Sequence, residues 1–347
     1  MSPAPVTRQE VARRILSGAT ARALGDGAAF APANIALCKY WGKRNEELNL
    51  PVTSSLSVSL GEFGSKVALK PGGSSDQFAL NGETLAPDSP FARRAASFLD
   101  LFRPAPRFGF AVSAENTIPT AAGFASSASG FAALTLALNR LFGWQLDGRS
   151  LSILARLGSG SAARSVFDGF VEWHAGQADD GMDSYAERLP ETWPELRMGL
   201  LVISGQEKVV GSRPAMKRTV ETSPLYAAWP AKATRDIGEI RAAIRAKDFD
   251  RLGRTAESNA LAMHATMIAA WPTVLYWLPE SVAAMQRVTG LRGDGVPVYF
   301  TMDAGPNLKL IFESPGLGDI RRAFPSVQVV TPFGCGPAHA TPAAQPV

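Results

Sequence analysis

Residues 119–130, PTAAGFASSASG, carry no charged group and a single large side chain, and they run directly into FAALTLALNRLFG. The segment ahead, RFGFAVSAENTIPT, alternates in the period of a strand, whereas the segment behind has the apolar spacing of a helix closed by Gly143. The chain must therefore pass from strand to helix through a loop almost devoid of side chains. At such a junction the first N–H groups of the helix have no partner and point outward with the positive end of its dipole. Ala122, Gly123 and Ala125 leave that backbone approachable, and Ser126, Ser127 and Ser129 add hydroxyl donors, which is how a polyphosphate is held. The same residues also suit close packing of a helix on a sheet, and the loop is not a Walker motif. The junction alone leaves both readings open.

Patterns elsewhere predict a mixed α and β chain. FAPANIALCKYWGKR starts as an apolar strand that breaks at Gly42, and SSLSVSLGEFGSKVALKP alternates like a half-buried strand. Asn81-Gly82 sits between two short strand-like runs, the preferred dipeptide of a tight hairpin. SPFARRAASFLDLFR spaces Phe91, Ala95, Phe98 and Phe102 as a helix does, with Ser89 as its cap. Further on, LRMGLLVISGQEK reads as strand and loop, FDRLGRTAESNALAMHATMIAAW as a long helix stopped by Pro272, VPVYFTMDAGPNLKLIFES as two strands joined by a turn, and SVQVVTPFGCGP as a last strand. A chain of 347 residues exceeds one ordinary core, so two lobes are expected. The predicted division is a leader over 1–28, one lobe over 29–190, a second over 191–337 and a tail over 338–347. Prolines concentrated in ERLPETWPEL mark the boundary.

Composition narrows the class. With 46% hydrophobic and 19% charged residues the chain can bury a large core, which excludes intrinsic disorder. Its formal charge of +4 suits an anionic small substrate, while the basic residues are scattered and no aromatic-basic platform interleaves them, so no nucleic-acid partner is expected. Cys38 and Cys335 are too few and too far apart for a disulfide scaffold or a zinc knuckle, and a reducing cytoplasm is the expected location. No apolar run approaches the length of a membrane span, and no membrane partner is expected. The arginines of the first thirty residues are read as a leader helix packed on the surface rather than as a transit segment.

Charges among small residues mark candidate chemistry. KYWGKR puts Lys39 and Lys43 around Tyr40, Trp41 and Gly42; GSGSAARS puts Arg164 after a hydroxyl-rich turn; VVGSRPAMK puts Arg213 after Gly211 and Ser212. Fixed cations beside backbone donors make a polyanion clamp, though each taken alone reads first as a solvated surface charge. Asp303, in the turn TMDAGPN at a strand end, can face a pocket and accept a proton or orient a hydroxyl; an Asx-turn role fits it as well. His174, His264 and His339 show no metal-ligand spacing, His264 reads as a structural histidine, and no metal ligands are assigned.

The segments APANIALCKYWGKRNEELNLPVTSSLSVSL, NTIPTAAGFASSASGFAAL, GSGSAARSVFDGFVEW, VETSP, MHATM and MDAGPN occur in this order between about Ala31 and Pro337. In them the chain resembles the diphosphomevalonate decarboxylases of the superfamily that includes galactokinase, homoserine kinase, mevalonate kinase and phosphomevalonate kinase. KYWGK with SGSAAR and DAGPN carries the likeness to the decarboxylase branch. The resemblance implies a two-lobed α+β GHMP kinase fold, with an N-terminal lobe like ribosomal protein S5 domain 2 and a ferredoxin-like C-terminal lobe. It implies ATP, accompanied by Mg2+, at Ala122, Gly123, Ala125, Ser126 and Ser127. It implies a substrate diphosphate and carboxylate held by Tyr40, Trp41, Gly42, Lys43, Ser159, Gly160, Ser161, Ala162, Ala163, Arg164, Ser212 and Arg213. Asp303, Lys39 and Arg164 are then the catalytic set: Asp303 addresses the 3-hydroxyl as base or positioning group, and Lys39 tunes it. The implied reaction is ATP-dependent decarboxylation of mevalonate 5-diphosphate to isopentenyl diphosphate, by a homodimer. Two other readings stay open: a phosphomevalonate decarboxylase or mevalonate 3-kinase-like relative acting on mevalonate phosphate or mevalonate, and a non-catalytic nucleotide- or RNA-binding protein. Asn45 and Ala163 stand where members of the family often carry aspartate and cysteine.

Overall fold

The computed structural model describes residues 5–19, 22–117, 126–206 and 208–334, and for Ser126 the backbone only. The first element, α1 (Arg8–Ile15), is capped by the Thr7 hydroxyl, which accepts from the Glu10 N–H at 3.2 Å, and is anchored by buried Val11 and Ala12. It lies within the segment read from sequence as a leader. β1 (Gly27–Cys38) leads through the hairpin β2 (Lys43–Asn45) and β3 (Leu50–Pro51) into the long β4 (Ser55–Pro71). β1 and β4 pair antiparallel, with register shifts at Pro32/Asn34 and Ala36/Cys38. A proline has no N–H for the ladder, so an irregularity beside Pro32 is the way to keep it in the strand. β5 (Gln77–Leu80) and β6 (Glu83–Thr84) form the hairpin predicted at Asn81-Gly82, both turn residues taking positive φ (52° and 87°).

α2 (Pro90–Leu99) begins where predicted: the Ser89 hydroxyl accepts from Ala92 N–H at 3.3 Å and Pro90 takes the first turn. β7 (Phe110–Asn116) lies between β4 and β5, α3 (Ser126–Phe142) ends at Gly143 with φ 60°, and α4 (Gly148–Gly158) continues into a 3₁₀ turn over Gly160–Val166. β8 (Phe170–Trp173) and β9 (Ala186–Arg188) complete a seven-stranded sheet in the order β6-β5-β7-β4-β8-β9, with β1 also on β4.

The second half starts with β10 (Leu196–Leu201) and runs through α5 (Ser212–Thr222), α6 (Trp229–Ala246), α7 (Phe249–Ile268) and α8 (Pro279–Gly293). It then adds β11 (Val298–Met302), β12 (Leu308–Glu313), α9 (Leu317–Ala323) and β13 (Gln328–Val330). Its sheet has the order β11-β12-β10-β13, antiparallel throughout. The helix expected to reach Pro272 stops at Ile268.

One feature of β4 departs from the half-buried strand that its alternation predicts. Exposure alternates only over Lys66–Lys70, whereas every residue from Ser55 to Leu60 is buried. Leu56, Val58 and Leu60 join a core that also contains Ile35 and Leu37 of β1, Met198 and Leu200 of β10, Ile240 of α6, and Leu252 and Met263 of α7. The apolar face of β4 is thus covered by the second half of the chain. Burying a side chain of this size stabilises by about 1.5–3 kcal/mol, and a core shared by both halves locks them in register. That lock brings the β11–β12 turn against the end of β1. No helix among the described residues is long and apolar enough to cross a membrane.

Candidate active site

Asp303 stands on the β11–β12 turn between two ammonium groups. Lys39, the residue after β1, places Nζ 2.8 Å from Oδ1, and Lys309, from β12, places Nζ 3.1 Å from Oδ2. Side-chain exposure is 2% for Lys39 and 4% for Lys309 but 36% for Asp303, so the carboxylate is the member of the cluster that a ligand can reach. Burial alone would raise Asp303; the charges of Lys309 and Lys39 outweigh it and hold the carboxyl well below its usual range. Burial pushes Lys39 down to about 8, against the pull of Asp303. The turn itself is pinned by His264 of α7, 3.1 Å from the Asp303 carbonyl. A carbonyl can only accept, so His264 Nε2 carries the hydrogen, and burial pushes the ring down to about 3, leaving it neutral. The Lys39 backbone N–H donates to Asn259 Oδ1 at 2.8 Å, and Asn259 in turn donates to Asp236 at 2.7 Å.

Arg164 is buried and, among the described residues, held without a carboxylate. Its Nε donates to Ser57 Oγ at 3.1 Å and to Asn34 Oδ1 at 3.3 Å, its Nη2 to Asn34 Oδ1 at 3.2 Å, and its Nη1 to Ser55 Oγ. Trp173 lies 5.9 Å beneath the guanidinium. Burial pulls Arg164 down to about 10, and the Asp303 charge opposes that, which places the two groups within electrostatic reach. An interior guanidinium paired only with neutral oxygens is costly unless an anion arrives.

The remaining predicted residues fall into three sets. Lys43 and Arg213 line one cavity of about 550 Å³, shared with Gly158 at the end of α4, whose carbonyl accepts from Arg213 Nη2 at 2.9 Å. Lys39 and Lys43, four residues apart, therefore serve opposite ends: Lys43 pairs with Glu46 at 2.9 Å, Lys39 with Asp303. Between them Tyr40 packs edge-on against Trp173 (centroids 4.8 Å apart), and a Cβ on Gly160 would come within 2.9 Å of the Tyr40 ring. Gly42 takes φ 114°, and a Cβ there would lie 1.8 Å from the Tyr226 hydroxyl, so only glycine fits. Tyr40 Oη is buried without a hydrogen-bond partner among the described residues, a donor left over for a ligand.

Other predicted residues are turned inward. Trp41, Ala162 and Ala163 are buried, so their side chains serve packing and any ligand contact runs through backbone or neighbours. Ser159 is also buried; Ser161 is half-buried, with its carbonyl accepting from Asn34 Nδ2 at 3.3 Å. Ser212 is half-buried at the first turn of α5, beside exposed Arg213. Asn45 accepts from Leu48 N–H at 2.9 Å, a turn role that an aspartate would also fill.

Of the phosphate-loop residues, Ala122, Gly123 and Ala125 lie outside the described residues, and Ser126 opens α3. Ser127 lines a small cavity of about 100 Å³ with Ser65, Asn116, Val67, Leu80 and Leu134. Apolar side chains make up most of its lining, with Ser65, Arg94, Asn116 and Ser127 as the polar ones. Among the described residues no three His, Cys, Asp or Glu side chains converge as a metal site.

Lys309, Lys208, Asn34, Ser55 and Ser57 were missed by sequence reasoning. Lys208 is pushed down by burial and by the charge of Lys309, and lies beside Gly305 of the Asp303 turn. Two signals were available: Lys309 is a charge inside the apolar strand LKLIFE, and the serines of SSLSVSLG recur every second residue on one strand face.

The chain matches two family profiles, described as the diphosphomevalonate decarboxylase-like N-terminal domain over residues 31–186 and the mevalonate 5-diphosphate decarboxylase C-terminal domain over residues 198–331. The human diphosphomevalonate decarboxylase is 38% identical over 304 residues, covering 80% of this chain and 74% of that one. The Eremothecium gossypii enzyme is 37% identical over 303 residues, covering 81% and 76%. Among solved structures, one described as MDDEF in complex with MVAPP, AMPPCP and magnesium superposes with a TM-score of 0.83 at 41% identity, covering 89% of this chain and 98% of that one. Mevalonate diphosphate decarboxylase from Staphylococcus aureus gives 0.83 at 38% identity, covering 88% and 95%.

Proposed function

The chain belongs to the diphosphomevalonate decarboxylase family, and from that premise we propose how its own residues divide the reaction. The protein is an ATP-dependent decarboxylase with the GHMP-kinase fold: it converts 5-diphosphomevalonate to isopentenyl diphosphate, releasing ADP, phosphate and carbon dioxide, and uses ATP and Mg2+. ATP, when bound, supplies the phosphoryl group that turns the tertiary 3-hydroxyl into a leaving group.

The observation that carries the assignment is the Lys39–Asp303–Lys309 cluster beside an unpaired Arg164. Asp303 accepts a hydrogen bond from the substrate 3-hydroxyl and aims its oxygen. Because two ammonium groups hold Asp303 ionised far below neutrality, it is a weak base, and the hydroxyl proton moves only as the new P–O bond forms. Lys39, Lys309 and Lys208 surround the point where negative charge gathers, and phosphoryl transfer relies on positioning and neutralisation of this kind. Arg164 takes the substrate carboxylate with its fork and holds the C–C bond for cleavage. Phosphate departs with the C3–O electron pair, C3 gains positive character, and the C–C pair fills it as the alkene while carbon dioxide leaves. Arg164 must release its anion in that step, and its neutral cradle of serines and Asn34 does not strengthen the grip.

Tyr40, Trp41, Gly42, Lys43, the stretch Ser159 to Ala163, Ser212 and Arg213 hold the diphosphate, and Gly123 with Ala122, Ala125, Ser126 and Ser127 hold the nucleotide phosphates. Mg2+ travels with those phosphates. The lobe boundary falls near Pro190, between β9 and β10. The protein works in the cytoplasm as a homodimer; Leu225, Trp271 and Leu275 expose 50%, 77% and 60% of their surface, large apolar groups that a dimer contact would cover. Sedimentation of Trp271→Glu tests this, with a monomer expected. The reaction is tested by following ADP and carbon dioxide with Mg2+ and mevalonate 5-diphosphate: equal release is expected, and ADP alone would leave only a kinase.

A further inference from the structure

The chain reverses between Lys39 and Lys43, and the reversal is held from the second half of the molecule. VETSP, residues 220–224, closes α5 and leads into Tyr226, whose N–H donates to the Ser223 carbonyl at 3.1 Å. The Tyr226 ring packs on the core that contains Trp41, Met216 and Trp229, and its hydroxyl lies 3.2 Å from the Trp41 carbonyl. A carbonyl only accepts, so the phenol donates, and burial pushes it up to about 12, which keeps the proton in place. The next residue gives this contact its weight. Gly42 takes φ 114°, and glycine populates both signs of φ, so the peptide between Trp41 and Gly42 can turn over at little steric cost. In a planar trans peptide the carbonyl and the N–H point opposite ways, so the bond to the Trp41 carbonyl also fixes the direction of the Gly42 N–H. The Gly42 carbonyl is held separately, by Val52 N–H at 3.1 Å.

We infer that Tyr226 is a positioning residue: its hydroxyl locks the Trp41–Gly42 peptide and so sets how the chain passes from the Asp303 end of the site to the diphosphate end. The inference rests on the reading that Gly42 and Lys43 hold the diphosphate. The anchors on either side of the glycine make the effect one-sided. Lys39 is fixed without Tyr226, its N–H on Asn259 and its Nζ on Asp303, both at 2.8 Å. Lys43 stands beyond the glycine on the short β2–β3 hairpin, where it pairs with the exposed Glu46. A loosened peptide therefore disturbs substrate binding and leaves the phosphoryl acceptor and its lysines in place.

The test compares wild type with Tyr226→Phe, which removes one oxygen, and with Tyr299→Phe as control, which loses a hydroxyl bonded to Asp250 at 2.8 Å. Kinetics with mevalonate 5-diphosphate and ATP are followed from about pH 7 to 9, and backbone hydrogen exchange is followed in the ligand-free proteins. Tyr226→Phe is expected to raise the substrate KM about three- to tenfold, the size of one neutral hydrogen bond, and to speed exchange over residues 40–52 by a similar factor. Its kcat, its ATP KM and its fall in rate near pH 8 should stay as in wild type, and Tyr299→Phe should match wild type throughout. Unchanged substrate KM and exchange in Tyr226→Phe would overturn the inference. A loss of kcat with a shifted pH limb would overturn it by moving the effect to Lys39, and faster exchange spread over α5 and α6 would do so by making Tyr226 a packing residue. If wild type turned over no diphosphate substrate, the functional reading would fail, and exchange over residues 40–52 would still decide for or against the lock.

Discussion

Asp303 and Arg164 lie within electrostatic reach of each other, yet the protein treats them in opposite ways. Asp303 has an ammonium group on each oxygen, at 2.8 and 3.1 Å. Arg164, more deeply buried, spends its N–H groups on two serine hydroxyls and one amide oxygen. A carboxylate neutralised from both sides is fixed in place and does little as a free base. A guanidinium given only neutral acceptors carries an unmet charge, which an anionic ligand relieves. The contrast is what the proposed division of the substrate needs: a neutral hydroxyl at Asp303 and an anion at Arg164.

The sharpest way to break this comparison is Asp303→Asn, which keeps the shape and removes the charge. Turnover followed by ADP and carbon dioxide should fall by at least about a hundredfold, with ATP still bound; near-normal turnover would end the assignment of Asp303. Arg164→Lys keeps the charge and removes the fork, and kcat/KM for the diphosphate substrate should fall by between about tenfold and a hundredfold. A smaller loss would mean that charge alone suffices there.

The third test is pH. Lys39 sits near 8, so raising the pH through that value strips one of the two ammonium groups from Asp303. The kcat/KM profile should drop roughly a few-fold from pH 7 to pH 9, and Lys39→Arg should flatten that limb, because arginine does not titrate there. Stability moves the other way. The folded value lies below the ordinary 10.5, so between about 8 and 10.5 the unfolded chain holds the extra proton, and the Lys39 contribution to stability rises with pH across that window. Asp303 is depressed instead, so its contribution is present above the ordinary 3.8 and is lost as the pH falls below it. Urea melts at pH 7 and 9 on wild type and Lys39→Arg separate these effects from activity.

The smallest expected effect is at the Arg164 cradle. Ser57→Ala removes one of its neutral acceptors and should cost only about twofold to threefold in kcat/KM, since an uncharged hydrogen bond is worth roughly 0.5–1.5 kcal/mol before the others adjust. A loss as large as that of Arg164→Lys would show that Ser57 does more than fill a lone N–H.

Much of the fold was legible because its signals are local. Asn81-Gly82 takes positive φ at both residues, Ser89 caps α2, and Gly143 closes α3. β4 was legible only in part: its alternation shows exposure over Lys66–Lys70, but the burial of its first half depends on helices encoded some two hundred residues later. The site shows the same division. The residue types at Lys39, Arg164, Arg213 and Asp303 stood out in sequence, whereas Lys309 and Ser57 looked like ordinary strand positions until the sheets were placed.

The sequence by itself determined where the backbone turns, which segments become strands or helices, and which charged groups the protein has to work with. These are governed by dihedral preference and by apolar period, which act over a few residues. Only the tertiary structure decided that Lys39 meets Asp303, 264 positions away, while Lys43 faces another cavity, and that Arg164 meets no carboxylate among the described residues. An ion pair is set to within a few tenths of an ångström by everything packed around it, and here that is a core shared by both halves of the chain.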